Sequence, residues 1–75
     1  MNVNTFISLI TAAIIQGKSD ITFGSSVIML PSPQRSGSMG QQRLYAQMKA
    51  TKIANEIGVK GIATLKTLDL NLNAA

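Results

Sequence analysis

The sequence predicts a small α+β domain in which two helices pack on a short β-hairpin and a C-terminal strand. Three patterns indicate this class. Apolar residues recur at helical spacing in residues 2–16 and again in residues 41–57. Residues 21–30 are rich in strand-forming side chains, and residues 67–73 alternate between leucine and polar residues. The whole chain, residues 1–75, is short enough that we expect one domain.

The first predicted helix spans residues 2–16, with most of its large apolar side chains on one half of a helical projection. Asn2 or Asn4 is expected to cap its start, and Gly17 to end it. Its polar half carries no charge, which favours packing against other protein. Membrane contact of residues 3–15 is a less favoured alternative, because the stretch is too short to span a bilayer and has no basic residues.

Residues 17–20 are predicted to be a connector, and β structure is predicted to follow at residues 21–30. Residues 24–26, Gly-Ser-Ser, either turn a tight hairpin or bend one long strand. The continuous apolar run at residues 27–30 predicts a strand that is covered on both faces.

Residues 31–39 are predicted to form an exposed loop, because two prolines and three serines cannot continue a strand. Arg35 lies in this loop. We hypothesise that it reaches a neighbouring subunit or a polyanion; the ordinary alternative is a loop that only connects. Ser38 and Gln41 have the spacing of a capping box, so the next helix should begin there. Gly58 is expected to end that helix.

The long helix at residues 41–57 carries two separate apolar ridges. One consists of Ala46, Ala50, Ile53 and Ile57, and the other of Leu44 and Met48. Either both are edges of one core helix, or one ridge faces the core and the other faces a partner. The candidate interface residues, including those of the terminal strand, are Leu44, Met48, Ala46, Ala50, Ile53, Ile57, Leu68, Leu70 and Leu72.

The segment at residues 59–67 stays open between helix and strand. Its apolar residues are three apart, as on a helix, but Gly58 and Gly61 weaken that pattern. The alternating residues from Thr67 onward predict a half-buried strand. It either closes its own sheet or adds to the sheet edge of another chain.

Composition favours association with other proteins over catalysis. Charged residues are 13% of the chain, about half the usual share, whereas apolar residues are 45%. The sequence has no cysteine and no histidine, which disfavours disulfides, zinc sites and most acid–base catalysis. Its acids, Asp20, Glu56 and Asp69, fall in different predicted elements. We therefore expect a homo- or hetero-oligomer with no enzymatic activity, no cofactor and no small-molecule substrate.

The basic residues concentrate in residues 35–66, where Glu56 is the only acid. This half favours an alternative function, that of a small basic nucleic-acid-binding protein. The residues that would contact phosphates are Arg35, Arg43, Lys49, Lys52, Lys60 and Lys66.

Residues 54–59, Ala-Asn-Glu-Ile-Gly-Val, resemble the middle of a helix-turn-helix DNA reader. The resemblance extends to Leu65 and Leu68, and it implies that Lys60, Thr64 and Lys66 would face the bases. Gly61 falls where the recognition helix should start, and strand alternation follows soon after, so the chain is not assigned to this family.

The leading expectation is a non-enzymatic structural subunit of a larger assembly, for example a virion, a tail or a secretion-type complex. Since neither a signal peptide nor a spanning segment is predicted, the expected location is the cytoplasm or a virion.

Overall fold

The computed structural model describes residues 1–74 and, within them, every side chain except those of Leu68 and Ala74. The elements in chain order are α1 (Val3–Ile15), β1 (Lys18–Phe23), β2 (Ser26–Met29), α2 (Met39–Ala63), a 3-10 turn (Thr67–Asp69) and β3 (Leu70–Ala74). Two helices thus accompany an antiparallel sheet made of a hairpin and a C-terminal strand. The predicted α+β class is confirmed.

The three strands lie in the order β2-β1-β3, with β1 in the centre. Ile21 is paired with Ile28 of β2 on one side and with Leu72 of β3 on the other. Residues 24–26 turn the hairpin, which decides between the two alternatives left open by the sequence. Gly24 has a φ of 63°, a conformation that a side chain would disfavour.

Two details of the predicted β segment are wrong. β1 begins at Lys18, within the predicted connector, because its first residues gain partners in the sheet. Ser19 accepts a hydrogen bond from the Leu30 amide at 3.0 Å, and Asp20 accepts one from the Asn73 side chain at 2.6 Å. The run at residues 27–30 is not covered on both faces, because Ile28 and Leu30 face the core whereas Val27 and Met29 are exposed on the opposite face.

Helix α1 is the element that joins the sheet to the second helix. It packs most extensively against α2 and also contacts β1. Phe6, Ile10 and Ile14 are buried along it, and the Phe6 ring lies 5.9 Å from the ring of Phe23. Because these large side chains sit between sheet and helix, α1 supplies most of the bulk of the core.

Both ends of α1 follow the residues that the sequence suggests. Asn2 is the cap, since its side-chain oxygen accepts a hydrogen bond from the Thr5 amide at 2.7 Å. Gly17 follows the last turn with a φ of 78°, and its amide donates to the carbonyl of Ile14.

Helix α2 places small residues against α1. Ala46, Ala50 and Ala54 are all buried, and they belong to the same core cluster as the large α1 side chains. Short side chains let two helix backbones approach closely, so the alanine ridge complements the bulk that α1 contributes.

Gly58 ends the first helical segment of α2, as expected from the sequence, and a second segment follows it. The Gly58 φ of 85° and ψ of 159° are not helical, and the helix resumes at residues 59–63. Residues 59–67, which the sequence left open between helix and strand, are therefore helical up to Ala63. The 3-10 turn follows, so β3 begins at Leu70 and not at Thr67 as predicted. The N-terminal ammonium group closes this end of the fold by donating to the carbonyl oxygen of Leu65 at 3.2 Å.

The capping box at the start of α2 gives a first prediction. The Ser38 hydroxyl accepts from the Gln41 amide at 3.2 Å, and the Gln41 side chain accepts from the Ser38 amide at 2.9 Å. Replacing Ser38 with alanine should lower the free energy of unfolding by about 1 kcal/mol, as measured by urea denaturation. Ser36→Ala is the matched control and should have no such effect. Equal losses from both changes would contradict this role of Ser38.

Candidate protein interface on helix α2

The outward side of α2 carries the two apolar residues that form the shorter ridge. Leu44 and Met48 lie one turn apart and are 57% and 64% exposed. Met48 follows the buried Ala46 by two positions, which is a rotation of about 200° around the helix axis. Its side chain therefore points away from the core. Helix α2 thus has apolar residues both on the side that packs against α1 and on the side that faces away from it.

An open groove of about 370 Å³ lies beside this pair. Its lining comes from α2 and from the loop that precedes it: Gln34, Ser36, Gly37, Gln41, Leu44, Tyr45 and Met48. The loop is held in place by the Gln42 side chain, which donates to the carbonyl of Gly37 at 3.2 Å. The groove therefore has a wall that is fixed to the helix by hydrogen bonds.

The rim of the groove is polar and in part cationic. The Lys49 ammonium lies 5.5 Å from the centre of the Tyr45 ring, a cation–π contact between neighbours on the helix. Lys52 is exposed one turn beyond Met48. The residues that line the groove include no acid. Its electrostatic character favours a neutral or acidic contact surface.

The other candidate interface residues occupy different surroundings. Ala46 and Ala50 are inside the chain's own core, and Ile53 and Ile57 are half-buried and pack against it. These four residues make contacts within their own chain, so we do not include them in the candidate interface. The physical reason is the bulk of α1, which fills the space next to this ridge.

The terminal strand pairs with β1 inside its own sheet. Leu70 is half-buried against the core, whereas Leu72 remains 38% exposed. Leu68 falls outside the side chains that the structure describes. Of the candidate interface residues with described side chains, Leu44 and Met48 alone combine high exposure with a shared surface.

Sequence reasoning missed four exposed apolar residues: Val27, Met29, Met39 and Val59. Val27 and Met29 could have been found from the alternation around Ile28, but only if the hairpin and its register were known. Met39 and Val59 each lie at the start of a helical segment of α2, where sequence periodicity has too few turns to define a face.

The candidate phosphate-binding residues do not form one stripe on α2. Arg43 and Lys52 are nine positions apart, which places them on opposite sides of the helix. Arg43 borders a cleft of about 180 Å³ next to α1, together with Gln47, whereas Lys49 lies on the far side beside Tyr45. The two sides of the helix would have to contact separate anionic surfaces.

The remaining cations lie outside the long helical segment. Arg35 packs at the end of α1, where a Cβ added to Gly17 would stand only 3.3 Å from its Nη2 atom. A cation is favoured there by the partial negative charge of a helix C-terminus, so Arg35 has a contact within its own chain. Lys60 lies in the helical segment after Gly58, and Lys66 lies beyond it.

The helix-turn-helix resemblance does not extend beyond the turn. The helical segment after Gly58 covers residues 59–63 and ends before Thr64, so it is about one and a half turns long. A recognition helix needs several side chains along a groove-length face. This segment is too short to present Lys60, Thr64 and Lys66 on one such face.

Among residues 1–74, the structure brings together no cluster of acidic side chains that could hold a metal ion. Within the same residues, neither helix combines the length and hydropathy required to cross a bilayer. The most prominent surface feature of α2 is thus the apolar pair with its groove.

No protein-family model, curated protein or solved structure shows significant similarity to this chain.

Proposed function

We propose that the chain is a non-enzymatic subunit of a larger protein assembly and that Leu44 and Met48 dock against a neighbouring subunit. The observation that carries this proposal is the second apolar side of α2, which faces away from the core and borders a groove. An exposed helix face is usually charged or polar, and apolar residues next to a groove are typical of protein contact sites.

The size of the groove supports a protein partner over a small ligand. A groove of about 370 Å³ is near the lower limit of ligand pockets. It is open along the helix, and no titratable side chain that could direct chemistry lines it apart from Tyr45. Its dimensions match one or two apolar side chains from another protein, inserted between α2 and the loop.

Burial of the pair alone would give weak binding. Removing the exposed parts of Leu44 and Met48 from water contributes about 1–2 kcal/mol each, which association costs largely offset. A stable interface needs roughly 1,200 Å² or more. The contact must therefore extend over the groove rim, including Gln41 and Tyr45. The proposed partner surface is apolar at its centre and neutral or acidic at its edge.

The proposal is tested by a double substitution that removes the apolar character and leaves the charge unchanged. Leu44→Gln with Met48→Gln should weaken association at least tenfold, because the buried centre of the interface becomes polar. Helix formation should be preserved, since glutamine has a good helix propensity. Analytical ultracentrifugation over a concentration series measures the change, and circular dichroism checks the fold.

The matched control changes two other exposed apolar residues of the same helix. Met39→Gln with Val59→Gln also replaces two exposed apolar side chains by glutamine, but outside the groove. It should leave the dissociation constant within about twofold of the wild-type value. Equal weakening by both double variants would contradict a specific interface at Leu44 and Met48.

The proposed location of the assembly is the cytoplasm or a virion. Mass spectrometry of the complex that copurifies with the chain from its source identifies the neighbouring subunits and the particular assembly.

A further inference from the structure

The free edge of β2 carries unpaired backbone groups at two positions. The Leu30 amide donates to Ser19, which fixes the alternation of hydrogen-bonded pairs along the hairpin. By that alternation Ile28 points its amide and carbonyl toward β1, and Val27 and Met29 point theirs away from it. Because β2 is the last strand on its side of the sheet, these groups face solvent.

The same two residues expose their side chains. Val27 and Met29 are 58% and 68% exposed on the outer face of the sheet, whereas Ile28 is half-buried and packs against the core. Edge strands are usually protected by charges, by a bulge or by a covering element. The edge of β2 has an apolar side chain at each position where its backbone is free.

The ends of this edge limit which strand can pair with it. The Gly24-Ser25 turn ends it on one side, and on the other Pro31 has no amide hydrogen to donate. Between these limits, Val27 and Met29 are the two outward-facing positions. A partner strand therefore needs two matching outward positions separated by one residue, and a second copy of β2 has this arrangement.

We propose that two copies of this chain pair antiparallel through their β2 edges. Val27 of one copy exchanges both backbone hydrogen bonds with Met29 of the second copy, and the two Ile28 residues face each other at the two-fold axis. The two sheets become one continuous sheet with β3 at each outer edge. This inference rests on the proposed role as an assembly subunit but uses a different surface from the α2 groove.

The backbone pattern of the edge is complementary to a second copy, and the apolar residues along it do not oppose that occupant. The chain has a net charge of +4, so most approaches of two copies bring like charges together. Residues 21–34 contain no charged residue, and Lys18 and Arg35 line a cleft with Met29 at one end of β2. Because the pairing is antiparallel, the Met29 ends of the two strands lie on opposite sides of the two-fold axis, and Val27 and Met29 meet as apolar cross-strand neighbours.

Amide hydrogen exchange measured by NMR tests the pairing directly, residue by residue. In a single copy, the Ile28 amide is protected by β1, and the Val27 and Met29 amides exchange quickly. We expect protection of Val27 and Met29 to rise at least tenfold between dilute and concentrated samples, while protection of Ile28 is already present in both.

A pair of charged variants separates this edge from the rest of the surface. Val27→Lys with Met29→Lys should abolish the concentration-dependent protection of the amides at positions 27 and 29. It should also raise the dissociation constant of the β2-paired dimer at least tenfold. Asn55→Lys with Asn71→Lys adds the same charge at two exposed positions away from β2, one on α2 and one on β3, and is the matched control. It should leave both quantities close to their wild-type values.

The outcomes distinguish this inference from the proposed function. If the chain associates through the α2 groove while the Val27 and Met29 amides stay unprotected, β2 pairing is wrong and the proposed function stands. If only an unrelated protein protects these amides, the second copy is the wrong occupant. If the chain is a monomer at every concentration, with no partner from its source, both are wrong.

Discussion

Replacing Phe6 with alanine is expected to remove a large part of the stability of the fold. The side chain is fully buried between α1 and the sheet, and its ring lies 5.9 Å from that of Phe23. Deleting a buried phenylalanine costs about 3–5 kcal/mol, and a chain of this length has roughly 4–11 kcal/mol in total. Urea denaturation of the variant should show a much earlier transition, or no folded baseline at all.

Leu44→Ala is the control for this experiment. Leu44 is a large apolar residue on the outward side of α2, so its truncation should change the monomer's stability by no more than about 0.5 kcal/mol. A loss at Leu44 as large as the loss at Phe6 would mean that the outward side of α2 is part of the core, and the account of this fold would be wrong.

The second large effect is expected from enlarging Ala50. This residue is fully buried and belongs to the core cluster that α1 and α2 share. Leucine at this position would force the helices apart or distort side chains, at a cost of about 1–3 kcal/mol or more. The measurement is the free energy of unfolding of Ala50→Leu at a concentration where the chain is dissociated.

Thr51→Leu provides the comparison, since residue 51 is the next position on the helix and is exposed. Its monomer stability should be nearly unchanged. An Ala50→Leu variant that unfolds like the wild type but no longer associates would assign the alanine ridge to an intermolecular contact, contrary to the packing described above.

Features decided by neighbouring residues could be predicted from the sequence. The capping box at Ser38 and Gln41 follows from their spacing and side-chain chemistry, and the structure has both hydrogen bonds. The cap at Asn2 and the glycine after α1 follow in the same way. Two helices and a sheet could be predicted because each has a period that local sequence reveals.

Features decided by distant partners could not be predicted in the same way. β1 starts at Lys18 because Ser19 and Asp20 find partners on β2 and β3, and neither strand position was fixed by sequence. The exposed face of β2 depends on where the core packs, which covers Ile28 and Leu30 and leaves Val27 and Met29 open. A continuous apolar run is the same in sequence whether one face is covered or two.

The two ridges of α2 show why the candidate site was only partly predictable. By hydrophobicity alone, Leu44 and Met48 should be buried in preference to Ala46 and Ala50. The structure buries the alanines because α1 already provides Phe6, Ile10 and Ile14 at that contact. Which ridge faces the core therefore depends on the size of the opposing side chains, and periodicity within α2 contains no information about them.

The most direct test of the central claim is the mass of the wild-type chain in solution, with and without its partners from the source. The account predicts species heavier than the 8.0 kDa chain at micromolar concentration, in which the Leu44 and Met48 side chains become protected from solvent. A single species of 8.0 kDa at every concentration, with Leu44 and Met48 still exposed in the presence of source extract, would contradict it.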